Sequence, residues 1–177
     1  GSIWEPLGQT IYGDASYDYF GLSVDISPDG NTLAIGSPGY CDDSSPTDSG
    51  NCDRPGYVRV FSLESSDVDT GSWKEIGEDI IGEAFGDVFG HSVSLSEDGK
   101  TIAVGAPLND GNGDDSGHVR VYQIDDSGLS WTQLGEDIGG EGAGDFSGFS
   151  VSLSADGKTV AIGSPLNYPY DFGQVRV

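Results

Sequence analysis

Carboxylates dominate the side chains here that could do chemistry, and they recur at a fixed spacing. Asp14 and Asp18, Glu83 and Asp87, and Glu141 and Asp145 are three pairs, each four residues apart in a glycine-rich stretch. Such groups can accept hydrogen bonds from loop amides, or pair with a basic residue that recurs alongside them. Arg59, Arg120 and Arg176 are the obvious partners: they are three of only 7 cationic residues, and each lies between two valines. A guanidinium in an apolar strand needs a carboxylate or a carbonyl beside it. The arginines, with Asp18, Asp87 and Asp145, are therefore read as architectural.

A second acidic stretch has the spacing of a cation loop. Asp110, Asn112 and Asp114 offer oxygens at alternate positions, with Asp115 next and glycines between, like the opening of a calcium loop. The match is partial, since no Gly follows Asp114 and no Glu stands at the twelfth position. Calcium is the one cofactor this pattern suggests, and a solvated turn is its alternative. Tyr168, Tyr170 and Phe172 form an aromatic run that either binds a ligand or packs on a neighbouring element. For catalysis there is little. His91 and His118 have no activated Ser or Cys nearby, so a nucleophilic triad has no visible nucleophile. The expectation is a protein that is not an enzyme. Cys41 and Cys52 lie in an Asp-, Ser- and Pro-rich stretch without zinc-ligand company. A loop-closing disulfide is the plain reading, and it implies an oxidising, extracellular or cell-surface location.

Composition narrows the partners. The 177 residues carry 30 Asp and Glu against 7 Lys and Arg, a formal net charge of −23. Nothing here could neutralise phosphates, so nucleic acid and anionic lipid are excluded and cationic partners are favoured. No apolar run approaches the roughly 18 residues of a membrane span. The opening Gly1-Ser2 has the form of a cleaved-tag scar, so targeting information is taken as missing rather than absent.

What must position these groups is a threefold internal repeat. Trp4, Trp73 and Trp131 open related phrases, Trp4-Glu5-Pro6-Leu7-Gly8, Trp73-Lys74-Glu75-Ile76-Gly77 and Trp131-Thr132-Gln133-Leu134-Gly135. Each leads through an acidic glycine-rich stretch to a strand with Val24 and Ile26, Val93 and Leu95, or Val151 and Leu153 alternating with polar residues. That is the period of two of a half-buried strand. Asp-Gly follows at 29–30, 98–99 and 156–157 and signals a hairpin. A short apolar run comes next and ends at Pro38, Pro107 or Pro165, because proline cannot donate to a ladder. A Gly-x-Val-Arg-Val strand closes the set at 56–60, 117–121 and 173–177. Four strands per repeat and no helical stripe predict an all-β fold: a β-propeller of four-stranded antiparallel blades, three per chain. The tryptophans, one per repeat, are assigned to packing between blades.

Phe20-Gly21, Phe89-Gly90 and the Gly-Ser/Ala-Pro triplets resemble FG-GAP repeats, the blades of the integrin alpha-chain propeller and related extracellular proteins. Two departures stand out. The third repeat reads Ser147-Gly148, and the first two strands of each repeat are joined by a tight turn where the family carries its calcium loop. The family's metal site is therefore not transferred.

The expected layout is an outer strand at 3–11 and blades at about 19–80, 88–138 and 146–177, the last completed by an N-terminal strand. Three blades are too few for a ring, so a homodimer closing a six-bladed ring is expected. The expected function is an extracellular recognition or adhesion module that binds a protein or glycan through its loop face. A lectin-like propeller and an accessory domain of a secreted enzyme are the alternatives.

Overall fold

The computed structural model describes residues 3–39, 55–64, 71–166 and 172–177. Cys41, Cys52, Tyr168 and Tyr170 lie outside the described residues. Every regular element among the described residues is a strand. The first sheet contains β1 (Ser23–Ile26), β2 (Thr32–Ser37), β3 (Tyr57–Leu63), β4 (Trp73–Glu75) and β5 (Ile80–Ile81). The second contains β6 (Ser92–Leu95), β7 (Thr101–Ala106), β8 (His118–Ile124), β9 (Trp131–Gln133) and β10 (Ile138–Gly139). β11 (Ser150–Leu153), β12 (Val160–Ser164) and β13 (Gln174–Arg176) form the third. All pairings named are antiparallel, and the first hairpin keeps one register: Val24 faces Ile35, Val93 faces Val104, and Val151 faces Ile162.

The hairpin turns owe their identity to one serine and one aspartate. Ser27 Oγ donates to Asp29 Oδ1 (2.6 Å) and accepts the Thr32 amide (2.9 Å), while Asp29 Oδ1 accepts the Asn31 amide (3.0 Å). Ser96 with Asp98 and Ser154 with Asp156 repeat this pattern. Each turn thus satisfies its own amides without help from the core. Gly30, Gly99 and Gly157 take the positive φ that the turn requires.

The sheets stack in chain order, β6 against β1 and β2, and β11 against β6 and β7. β7 is buried along its whole length because it is covered on both faces. Val58, Val60, Phe89, Leu95, Ile102 and Val104 fill the space between the first two sheets. The second interface is smaller, centred on Ala103, Val119 and Ile162. Ser147 stands there where Phe89 stands in the first. The backbones approach closely at Gly36 and Gly105, where a Cβ would collide with the carbonyl oxygens of Gly90 and Gly148.

Two features differ from the sequence expectation. The outer position of each of the first two sheets holds two short strands: β4 and β5 both pair with β3, and β9 and β10 both pair with β8. Four residues, 76–79 or 134–137, stand opposite two, Arg59 and Val60 or Arg120 and Val121. The excess forms a bulge. Residues 3–11 form no strand, and Trp4 is 98% exposed, so it does not share the packing of Trp73 and Trp131. Those two tryptophans reach the preceding phrase, Trp73 Nε1 donating to the Leu7 carbonyl (3.0 Å) and Trp131 Nε1 to the Ile76 carbonyl (3.2 Å).

The close approach at Gly105 gives a direct test. Gly105→Ala should cost about 2 kcal/mol or more, because neither backbone can yield as a side chain would. Gly139→Ala, where a Cβ meets nothing within 4 Å, should stay within about 0.5 kcal/mol of the parent. Urea midpoints at constant m-value would separate the two.

Candidate functional site

Asp14, Asp18, Glu83, Asp87 and Asp145, in the loops that lead into the first strand of each sheet, are already engaged. On β3 the Arg59 guanidinium spans two carboxylates. It pairs with Asp14 and donates through Nε to Asp79 Oδ1 (2.9 Å). Arg120 on β8 does the same with Glu83 and with Asp137 (Nε to Oδ1, 2.7 Å). The bulges of the outer strands deliver Asp79 and Asp137 to these places. Arg176 on β13 instead donates to the Gly139 carbonyl (2.6 Å).

The second carboxylate of each pair lies deeper. Asp18 accepts the Ala15 amide (3.0 Å) and the Tyr57 hydroxyl (3.3 Å). Asp145 accepts the Glu141 and Gly142 amides, each at 2.9 Å. Asp87 accepts from Asn109 Nδ2 (2.7 Å). The four-residue spacing therefore places one acid against an arginine and the next against loop amides or side chains in the first two units. In the third unit Glu141 is exposed on the rim.

Electrostatics follow these contacts. The hydrogen bond from Arg120 holds the Asp137 carboxyl down to about 2, against the cost of its partial burial. Arg120, then Asn109, lowers Glu83. Burial raises Asp87, with Asn109 opposing. Both paired arginines are raised by their carboxylates and stay charged at any working pH.

His118 is 3% exposed, and its Nε2 finds no hydrogen-bond partner among the described residues. Burial, then Arg120, lowers its pKa, so the 3.9 Å approach of Nδ1 to Asp137 is not an ion pair at neutral pH. Glu83, His118 and Asp137 bring ligand atoms within 4.8 Å of one another, a spacing that could suit a metal ion. The guanidinium of Arg120 already bonds both carboxylates, so it competes with a metal ion for the same oxygens.

The loop from Leu108 to Gly117 is held by its own polar groups. Asp110 Oδ1 accepts the Asp115 amide (2.9 Å), and Asn112 Nδ2 donates to the Gly140 carbonyl (2.8 Å). Among the described residues, Asp110, Asp114 and Asp115 form no converging ligand group. The loop joins two neighbours. Asn109 Nδ2 also reaches Glu83 (2.8 Å), while the Gly144 and Phe146 amides donate to the carbonyls of Asp114 and Asp115. Phe172 is exposed, and His91 lies against Phe149 with ring centroids 4.7 Å apart.

Sequence reasoning missed Asp79 and Asp137. The phrases Glu78-Asp79-Ile80 and Glu136-Asp137-Ile138 carried the signal, but adjacent acids hide which one faces the arginine.

The family model of the FG-GAP repeat matches residues 82–122, from the loop before Phe89-Gly90 to the middle of β8. No curated protein matches the chain. Among solved structures, a Bacteroides uniformis protein carrying the name 6-phosphogluconolactonase is similar, with 18% identity and a TM-score of 0.45. The match covers 87% of this chain and 38% of that one, so this chain spans less than half its length.

His118 makes the fold sensitive to pH. Its folded pKa lies below the ordinary 6.5, so its contribution is fully present above that value and is lost as pH falls below it. His91, lowered by burial, acts in the same direction. Denaturant midpoints should fall between about pH 7 and pH 5. The fall should be shallower in His118→Gln, which installs the residue found at the equivalent Gln174. An unchanged slope in that variant would assign the loss elsewhere.

Proposed function

We propose that this chain is a propeller-type recognition module, three four-stranded blades acting outside the cell without catalysis, that binds a basic protein surface through its acidic rim. The carrying observation is the lacing of the rim. The loop from Leu108 to Gly117 is bonded on one side to Glu83 and Asp87 and on the other to Gly140, Gly144 and Phe146. Connections of adjacent units thus make one continuous, pre-organised edge. A surface fixed before binding loses little entropy when a partner arrives.

Charge supports the choice of partner. Asp110, Asp114 and Glu141 are exposed along this edge of a chain with net charge −23. Such a field attracts cationic surfaces and speeds their encounter. The non-catalytic reading is supported by how the other acids are used. Asp14, Asp79, Glu83 and Asp137 are held by arginines, and the imidazole beside them is buried. The match to an FG-GAP repeat favours an extracellular setting. No helix among the described residues is long and apolar enough to cross a membrane.

Biosensor binding against a panel of basic and neutral extracellular domains, beside a glycan array, tests the reading. A basic partner should bind and weaken at about 0.5 M salt, where screening acts within a few ångströms. Asp114→Asn with Glu141→Gln should reduce affinity severalfold while leaving the melting temperature unchanged. A response confined to glycans and blind to those substitutions would replace this reading with the lectin one.

A further inference from the structure

An asparagine followed by glycine is a reactive step in a polypeptide. The glycine amide nitrogen attacks the asparagine Cγ, ammonia leaves, and water opens the cyclic imide to aspartate or isoaspartate. Glycine permits the attack because it has no side chain to hinder its nitrogen and its backbone turns freely. The chain holds one such step, Asn112-Gly113, in the middle of the loop that laces the second unit to the third.

The other asparagines and the Asp-Gly steps are poorer sites for the same chemistry. Asn31 precedes the β-branched Thr32, and its Nδ2 donates to Asp29 Oδ2 (2.9 Å). Asn51 and Asn167 precede Cys52 and Tyr168, whose side chains also hinder ring closure. Asn109 is 4% exposed and its amide is shared by Glu83 and Asp87. The hairpin turns at 29–30, 98–99 and 156–157 supply glycine but put a carboxylate before it. The hydroxyls of Ser27, Ser96 and Ser154 hold those carboxyls below the ordinary aspartate value, so they stay ionised and resist attack. At Asp110-Gly111 the Gly111 amide is bound to Asn109 Oδ1 (2.9 Å) and Asp110 Oδ1 to the Asp115 amide.

Asn112 is exposed, and its side chain is an amide, which has ammonia to lose. Its Nδ2 donates to the Gly140 carbonyl (2.8 Å), while the Gly113 amide donates to the Asp110 carbonyl (3.1 Å). The two reacting groups are therefore bound to different partners, and both bonds must break before the ring can close. Gly113 has φ +122°, and a Cβ there would come within 3.1 Å of Ala143 Cβ. The fold thus requires glycine at the very position that makes the asparagine reactive.

We propose that Asn112-Gly113 is a site of spontaneous deamidation and that its conversion loosens the edge between the second and third units. Water is the co-reactant and ammonia the leaving group. The product has no Nδ2 and sets a carboxylate against the Gly140 carbonyl, acceptor facing acceptor. Isoaspartate also adds a carbon to the backbone just before Asp114 and Asp115, whose carbonyls receive the Gly144 and Phe146 amides. The edge then exists in two covalent forms, laced when new and looser and more negative with age. This goes beyond the recognition reading and holds whatever the rim binds.

Ageing the full chain in mildly alkaline buffer, with and without urea, tests the proposal by peptide mapping. The peptide holding Asn112 should show the mass increase of amide-to-acid conversion, with isoaspartate among the products, severalfold faster in urea than in native buffer. Asn112→Gln should abolish the change, because its longer side chain closes a ring slowly. In aged folded protein, and in Asn112→Asp, the Gly144 and Phe146 amides should exchange with solvent severalfold faster than in fresh protein, and those of β7 should not. Circular dichroism checks that both forms keep the fold. Conversion elsewhere ahead of Asn112, equal rates with and without urea, an Asn112 that never converts in native buffer, or unaltered exchange at Gly144 and Phe146 after conversion would each overturn the proposal.

Discussion

The distance between sheets is set by a backbone contact that tolerates no side chain. At Gly36 and Gly105 the middle strand of one sheet lies against the carbonyl of the glycine that opens the next, and a serine hydroxyl bonds the same carbonyl. With that spacing fixed, Val93 and Leu95 reach the first sheet and Val151 and Leu153 reach the second. Phe89 fills the first interface fully and meets Tyr122 edge-on. The Phe-Gly signature is thus a packing device. Phenylalanine supplies apolar volume, and glycine lets the chain turn at positive φ under a neighbouring backbone.

The arginine clamps act at right angles to this stacking. Arg59 and Arg120 each tie the connection entering a sheet to the outer strand leaving it. These pairs are only partly shielded from water, so their net stabilisation is modest. Their larger effect is geometric, since a bidentate guanidinium fixes the direction of both partners. The bulge between β4 and β5 is what makes this possible, because a straight outer strand would not bow Asp79 back to Arg59.

Much of this was legible in the sequence, for identifiable reasons. Hairpins at 29–30, 98–99 and 156–157 were visible because Asp-Gly turns are locally encoded, down to the serine that caps them. The strand ends at Pro38, Pro107 and Pro165 followed from a missing amide. The pairing of Arg59 and Arg120 with loop acids was legible because threefold recurrence links residues far apart in sequence. Other features depend on register, which repeats do not reveal. The split outer strand required knowing that four residues oppose two. The role of Asp79 over Glu78 hung on that same bulge. The Asp110 to Asp115 loop has the composition of a cation site, and its bonds from Asp110 to the Asp115 amide and from Asn112 to the Gly140 carbonyl are not legible from composition. Trp4 has the same sequence setting as Trp73 and Trp131, but its burial depends on what precedes it in space.

The self-contained hairpin turns have a consequence for how the chain reaches this state. Each closes using bonds between residues five or fewer apart, so three nuclei can form independently and early, before any long-range contact exists. Near-identical nuclei in one chain carry a hazard, since a strand from one can pair with the partner of another and trap a misassembled intermediate. The positions that break the threefold pattern then discriminate between neighbours. Tyr57, His118 and Gln174 share a slot but differ in size and polarity, and only the correct sheet gives Tyr57 the carboxylate of Asp18. Variation within the repeat is thereby an address that tells each strand which sheet to join.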